Sequence, residues 1–108
     1  MLSSYRLMWV LVMFDLPVVE PDERKEAQGF RNFLQDNGFE MTQYSVYLKF
    51  CSSSSQVMTI SRKIETNLPK GGKVSILQFT DKQYEKIISF RGKYKNPRNQ
   101  NPNQYDLF

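Results

Sequence analysis

An apolar run near the start of the sequence gives way to a helical pattern. Residues 7–14 are apolar at every position, which is typical of a strand that is covered on both faces. Pro17 ends this strand because proline cannot donate a ladder hydrogen bond. Helical spacing of the next apolar residues predicts a helix over about 23–37, with Asp22 as its N-cap and Gly38 just after its end. The apolar positions of this helix are Ala27, Phe30, Phe33 and Leu34.

Residues 39–50 follow a different pattern, with many aromatic and β-branched side chains. The segment is too long for one flat strand, so it predicts two strands with a bend near 43–45. The polar residues 52–55 then break the pattern and offer an N-cap. A second amphipathic helix follows and is closed by Pro69. Its apolar positions are Val57, Ile60, Ile64 and Leu68.

Three short segments complete the predicted elements. Residues 74–80 predict a strand, 81–84 a turn and 87–90 a last short strand. The order is β-α-β-β-α-β with a short additional C-terminal strand. This is the ferredoxin-like arrangement of the α+β class, an antiparallel sheet with both helices on one face. We expect this domain to span 1–91, and a flexible or partner-binding tail to span 92–108.

Composition limits the chemistry that this domain can perform. The 108 residues include no histidine and a single cysteine, Cys51. A Ser-His-Asp triad, a Cys-His pair, a His-containing zinc site and a four-cysteine metal cage are therefore excluded. The apolar run of eight residues is too short for a membrane span, and a lone cysteine fits a reducing compartment. We expect a soluble, cytoplasmic protein without a membrane partner.

The formal net charge is +4, and basic residues are frequent toward the C-terminus. On the first predicted helix, Arg24 and Arg31 are seven residues apart and share a face, and Lys25 is the next residue after Arg24. Such residues usually form a solvated helix surface. If they follow a phosphate backbone instead, they bind nucleic acid without reading its base sequence.

Asp15 directly follows the first apolar strand, a place where a rigid scaffold presents ligand groups. Its position leaves two interpretations open: the carboxylate ends the strand and bonds to the adjoining loop, or it binds a cation. Mg²⁺ is held by one or two carboxylates together with water and substrate phosphates. One aspartate per chain makes a poor metal site, whereas two related by a two-fold axis make a workable one.

Several aromatic residues fall on or beside the predicted strands. They are Tyr5, Trp9, Tyr44, Tyr47 and Phe50. Exposed aromatic side chains on a ferredoxin-like sheet can stack RNA bases, as in RNA-recognition modules. The glycine- and aromatic-rich strand motif of those modules is missing here, which favours packing in a core or a subunit interface.

Four motifs, in this order and at this spacing, carry a resemblance to a known family. They are VMFDLP at 12–17, ERK at 23–25 followed by FRNFL at 30–34, Gly38-Phe39 leading to QYSVY at 43–47, and TDKQY at 80–84. Over about residues 5–90 the chain resembles the small CRISPR-associated Cas2 family, and in particular its type II version.

The resemblance implies a homodimer that works beside the CRISPR integrase subunit to capture short foreign DNA as new spacers. It also implies a Mg²⁺-dependent endonuclease activity on RNA or DNA, with Asp15 of each protomer as the catalytic and metal-binding residue at the dimer axis. In the family, the C-terminal strand crosses to the partner protomer and the following segment docks the integrase. Here these are 87–90 and the tail, where Tyr105, Leu107 and Phe108 can add as an edge strand.

We therefore expect a homodimeric scaffold that binds duplex DNA with the integrase during spacer acquisition. Arg24, Lys25 and Arg31 are the expected phosphate contacts, and Mg²⁺ at Asp15 is the expected source of any endonuclease activity. Backbone contacts of this kind predict binding that is independent of base sequence and strongly dependent on salt. The alternative is an RNA-binding module or a toxin-type ribonuclease on the same fold.

Overall fold

The computed structural model describes residues 7–92, which form four strands and three helices. In chain order the elements are β1 (Met8–Asp15), α1 (Pro21–Asp36), β2 (Glu40–Gln43), β3 (Val46–Cys51), α2 (Ser54–Glu65), β4 (Lys73–Thr80) and α3 (Asp81–Glu85). Tyr5 and the predicted partner-binding residues Tyr105, Leu107 and Phe108 lie outside the described residues. Within the described part of the chain, no helix is both long enough and apolar enough to cross a membrane.

The four strands form one antiparallel sheet in the order β2-β3-β1-β4. With α1 and α2 packed on the same face, this confirms the predicted ferredoxin-like α+β fold. β1 lies inside the sheet and pairs on both edges. Its Leu11 is opposite Leu48 of β3 on one side and Leu77 of β4 on the other.

The hydrophobic core lies between the sheet and the two long helices. Val10, Val12 and Phe14 of β1 point into it, because alternate residues of a strand face the same side. The helices supply Ala27, Phe30 and Leu34 from α1 and Val57, Ile60 and Ile64 from α2. These are positions that helical periodicity predicted. Leu68 is an exception, since α2 ends at Glu65 and Leu68 is exposed.

Cys51 ends β3 inside this core and is fully buried. Burial raises the pKa of its thiol, and the nearby positive charge of Lys49 lowers it by a smaller amount. The thiol therefore stays protonated at neutral pH and packs as an apolar side chain.

The start of α1 corrects one sequence-based prediction. The N-cap is Glu20 rather than Asp22, and Asp22 lies in the first turn. The Glu23 carboxylate accepts hydrogen bonds from the backbone N–H of Glu20 at 2.9 Å and of Val19 at 3.1 Å. Pro21 favours this earlier start, since its fixed φ suits the first helical position and its missing N–H needs no partner there.

The predicted last strand at 87–90 was wrong for the single chain. Within the described residues, this segment has no strand pairing, and Ile88 and Phe90 are largely exposed. The predicted turn before it is the short helix α3 instead. Thr80 caps α3, because its hydroxyl accepts from the Gln83 N–H at 3.1 Å while the Gln83 side chain accepts from the Thr80 N–H at 2.9 Å.

α3 is attached to the sheet face opposite the long helices. The Asp81 carboxylate accepts a hydrogen bond from the Trp9 indole N–H at 2.8 Å. The Tyr84 ring stacks on the Trp9 ring, with centroids 4.1 Å apart. The Phe79 ring lies 6.4 Å from Tyr84 on the same face. α3 thus covers the Trp9 end of this second face.

The approach of the α2–β4 loop to β1 yields a stability prediction. Gly72 has a φ of +83°, and a Cβ at this position would lie 2.4 Å from the Asp15 carbonyl oxygen. Gly72→Ala is therefore expected to lower the free energy of unfolding by at least about 1–2 kcal/mol, the cost of a left-handed backbone alone. Urea unfolding followed by circular dichroism at one protein concentration measures this change.

Gly29 provides the matched control, since it lies within α1 and an added Cβ there meets nothing within 4 Å. Gly29→Ala is expected to raise the free energy of unfolding by about 0.5–1 kcal/mol. Equal stability of the two alanine variants would contradict the role assigned to Gly72.

Candidate functional site at the end of strand β1

Asp15 is the last residue of β1 and is exposed. Its neighbour Phe14 is buried under the helices, so the Asp15 side chain is on the opposite face of the sheet. The prediction that Asp15 lies at the end of a central strand is thereby confirmed. Its role as a metal-binding and catalytic residue stays a prediction.

Lys73 lies directly across from Asp15, because the two residues are register partners in the β1–β4 pair. Side chains opposite each other in an antiparallel pair have Cβ atoms about 4.5–5.5 Å apart. Both residues are exposed, so a carboxylate and an ammonium group share this edge of the sheet. Lys73 could not be found from local sequence patterns, since only strand register brings a residue 58 positions later beside Asp15.

The turn between β2 and β3 adjoins the same end of β1. It consists of Tyr44 and Ser45, in agreement with the predicted bend. The Ser45 carbonyl accepts a hydrogen bond from the Phe14 backbone N–H at 3.1 Å. Ser45 has a φ of 63°, which makes it the one non-glycine residue with a positive φ among those described. The turn is thus attached to the residue that precedes Asp15.

Arg31 of α1 reaches this turn from the helix side of the sheet. Its guanidinium carbon lies 4.9 Å from the centroid of the Tyr44 ring and 5.7 Å from that of Phe14. Its Nη2 donates to the Tyr44 hydroxyl at 3.0 Å. The Nε of Arg31 is buried and has no hydrogen-bond partner within the described region. Arg31 therefore holds Tyr44 as well as carrying charge.

The other two predicted phosphate contacts differ from each other. Nη1 of Arg24 donates to the carbonyl oxygens of Val18 at 3.2 Å and Val19 at 2.6 Å, which closes the β1–α1 loop. Lys25 is exposed and makes no hydrogen bond or ion pair with any described residue. Of the three bases, Lys25 is the one left without a partner in this part of the chain. Assignment of the three to nucleic acid stays a prediction.

The other described aromatic residues of the predicted set pack within the protein. Tyr47 is buried and stacks on Phe14, with centroids 5.8 Å apart. Trp9 contacts Phe50 edge to face at 5.1 Å. Tyr44 departs from the expectation of packing in a core, since 75% of its surface is exposed.

The face of the sheet that bears Asp15 carries apolar side chains, several of which are exposed, and we call it the open face. Met13 of β1, Phe50 of β3 and Leu77 of β4 lie on it and are between 42% and 44% exposed. α3 covers the Trp9 end of the open face, as described above. Asp15 and Lys73 lie at its other end. A carboxylate is thus placed at the margin of an apolar surface.

One chain supplies few donors for a cation at this end. Within the described region, no group of three or more Cys, Asp or Glu side chains is placed to hold a metal ion. Asp15 is the one carboxylate of β1, and Lys73 opposite it carries a positive charge. Since Mg²⁺ takes one or two carboxylates together with water and phosphate oxygens, the donors fit Mg²⁺ best when two copies of Asp15 meet.

Comparisons with known proteins agree on one family. The sequence model described as CRISPR associated protein Cas2 matches residues 8–87. A protein from Paracidovorax avenae named CRISPR-associated endoribonuclease Cas2 is 60% identical over 108 residues, covering 100% of both chains. A protein of the same name from Flavobacterium psychrophilum is 40% identical and covers 99% of this chain and 93% of its own.

A solved structure supports the fold independently. The chain described as "Crystal structure of cas2" matches with a TM-score of 0.56 and 19% identity, covering 83% of this chain and 94% of that one. At this identity the likeness concerns the fold alone. The sequence match, by contrast, extends from β1 to the segment after α3. The chain therefore belongs to the CRISPR-associated Cas2 family.

Proposed function

We propose that this chain acts as a homodimer in CRISPR adaptation and that two Asp15 residues form a Mg²⁺-dependent centre for phosphodiester hydrolysis. The observation that carries the proposal is the position of Asp15 at the margin of the open face. Relatives that match nearly the whole chain are named CRISPR-associated endoribonucleases, which supports a nuclease activity. Family membership favours this role over a toxin-type ribonuclease.

A mismatch between β1 and its surroundings supports the proposed dimer. β1 is apolar along both faces, yet α1 and α2 cover only one of them. A second copy packed on the open face removes apolar surface from water at about 25 cal/mol per Å². Such an interface is self-complementary about a two-fold axis. An axis near the end of β1 then brings the two Asp15 carboxylates together.

The chemistry of the paired site depends on a small set of groups. Mg²⁺, when bound, would supply a Lewis acid and make a coordinated water more acidic. The two Asp15 carboxylates would hold it. Lys73, opposite Asp15, binds a non-bridging phosphate oxygen and offsets its negative charge. The sequence contains no histidine, so no imidazole acts as general base.

The adaptation role rests on charge and on the family. The net charge of +4 per chain doubles in a dimer, which favours binding to the backbone of duplex DNA. The integrase subunit is the proposed partner, with Tyr105, Leu107 and Phe108 of the tail as its predicted contacts. The proposed location is the cytoplasm, where a buried free thiol such as Cys51 stays reduced.

Loss of the Asp15 charge tests the nuclease activity. Asp15→Asn is expected to reduce Mg²⁺-dependent cleavage of RNA or DNA more than about 100-fold, because a residue that binds the metal directly matters at least as much as the groups that orient it. Its thermal unfolding should match that of the wild type, since Asp15 is exposed. Asp22→Asn, at an exposed carboxylate of α1, is the control and should cleave normally. Undiminished cleavage by purified Asp15→Asn would overturn the proposed centre.

A charge on the open face tests the dimer. Leu77→Lys is expected to convert the dimer to monomers at micromolar concentration, because burial of an unpaired ammonium costs several kcal/mol. Light scattering coupled to size-exclusion chromatography measures the molar mass. Val19→Lys, at an exposed position of the β1–α1 loop, should remain dimeric. A dimeric Leu77→Lys protein would exclude the open face as the interface.

Removal of the Lys25 charge tests backbone binding. Lys25→Gln is expected to weaken duplex DNA binding equally for unrelated sequences and to lower the salt slope by about 0.9 per chain. Fluorescence anisotropy titrations at several salt concentrations give both values. The control is Lys70→Gln, because the Lys70 ammonium lies 3.9 Å from the Glu26 carboxylate and should leave the slope unchanged. An unaltered slope for Lys25→Gln would remove this residue from the interface.

A further inference from the structure

Tyr44 is a large aromatic side chain that the fold presents to solvent. It lies in the turn between β2 and β3, and 75% of its surface is exposed. Tyr47, three residues later, is buried in the core and stacks on Phe14. Burial of apolar surface therefore does not account for the position of the Tyr44 ring.

The ring is nevertheless held in one place. The Arg31 guanidinium lies over two aromatic rings, 4.9 Å from the Tyr44 centroid and 5.7 Å from the Phe14 centroid. Nη2 of Arg31 donates to the Tyr44 hydroxyl at 3.0 Å. Phe14 is itself part of the buried core, so Arg31 links the exposed ring to the rigid interior.

Two features that cost free energy accompany this arrangement. Ser45 adopts a φ of 63°, which is unfavourable for a side chain with a Cβ. The Nε of Arg31 is buried without a hydrogen-bond partner among the described residues, which leaves a desolvated donor unsatisfied. Neither feature buries Tyr44. Backbone strain and unsatisfied groups that persist in this way are concentrated at functional positions.

The turn and the candidate catalytic residue lie at the same end of the sheet. The Ser45 carbonyl accepts from the Phe14 N–H at 3.1 Å, and Asp15 is the next residue. Tyr44 lies on the helix side of the sheet, where Arg31 reaches it, and Asp15 lies on the open face. The two side chains therefore lie at one end of the sheet, on its opposite faces.

We propose that Tyr44 is a stacking platform for one unpaired base of a single-stranded nucleic acid, and that Arg31 is its positioning residue. This inference rests on the proposed function only in that nucleic acid binds at the Asp15 end of β1. A base inside a duplex is already stacked between its neighbours, so the platform selects single strands and frayed ends. Stacking on an aromatic ring tolerates any base and either sugar.

The test measures binding in EDTA, where Mg²⁺-dependent cleavage does not occur. The probes are fluorescein-labelled oligothymidine, oligouridine and an abasic oligodeoxynucleotide of equal length, followed by fluorescence anisotropy. Tyr44→Leu is expected to weaken binding of both base-containing strands about tenfold or more and to leave the abasic strand unchanged. Tyr44→Phe is the matched control and should keep most of the base-dependent affinity, because it retains the ring.

The positioning role of Arg31 is tested by the same difference in affinity between base-containing and abasic strands. Arg31→Gln should reduce the base-dependent part of the affinity, because Tyr44 loses the cation that holds its ring. Arg31→Lys should restore part of it through a cation over the ring. A purely structural Arg31 would instead change both probes equally.

The stacking proposal would be overturned if Tyr44→Leu lost affinity equally for base-containing and abasic strands, or if it bound both as the wild type does. A loss of affinity for only the deoxyribose strand or only the ribose strand would also overturn it, because stacking on a base does not distinguish the two sugars. The nuclease is judged separately by Mg²⁺-dependent cleavage. If the wild-type protein bound bases but did not cleave, the nuclease activity would be excluded and the stacking platform supported. If Tyr44→Leu cleaved normally and bound all strands as the wild type does, the stacking platform would be excluded and the nuclease activity supported.

Discussion

The position of β1 inside the sheet is the constraint on which the other features depend. β1 pairs with β3 on one edge and β4 on the other, so its two faces form the centre of both sides of the sheet. Val10 and Val12 point to the helices and are fully buried. Met13 points the other way and stays partly exposed. Because the two long helices α1 and α2 lie on one side, the described part of one chain buries the apolar residues of β1 only in part.

The two ends of the open face differ in structure. At one end, Tyr84 stacks on Trp9, and the Asp81 carboxylate accepts from the Trp9 indole. At the other end, the Asp15 side chain is uncovered, and the positive φ angles of Ser45 and Gly72 occur nearby. The Trp9 end of β1 is thus covered, whereas the Asp15 end is accessible and lies beside strained backbone. Strained backbone is concentrated at functional positions, which favours a site at the Asp15 end.

Local periodicity was enough to predict most of the elements. The apolar run at 7–14, the helix positions from Ala27 to Leu34 and the bend at 43–45 all depend on neighbours close in sequence. The failures have physical reasons. Pro21 moved the start of α1 ahead of Asp22, and the segment 87–90 pairs with no strand among residues 7–92.

The sequence by itself determined the amphipathic pattern, the place of Asp15 after an apolar strand and the exclusion of histidine chemistry, because each is a property of residue type and local spacing. Only the tertiary structure decided that Lys73 faces Asp15, that Arg24 closes a loop and that Arg31 holds Tyr44. Strand register and helix packing join residues far apart in the chain, and no local pattern specifies either. Some apolar residues of β1 also stay exposed in a single copy, and the proposed site therefore includes a second copy.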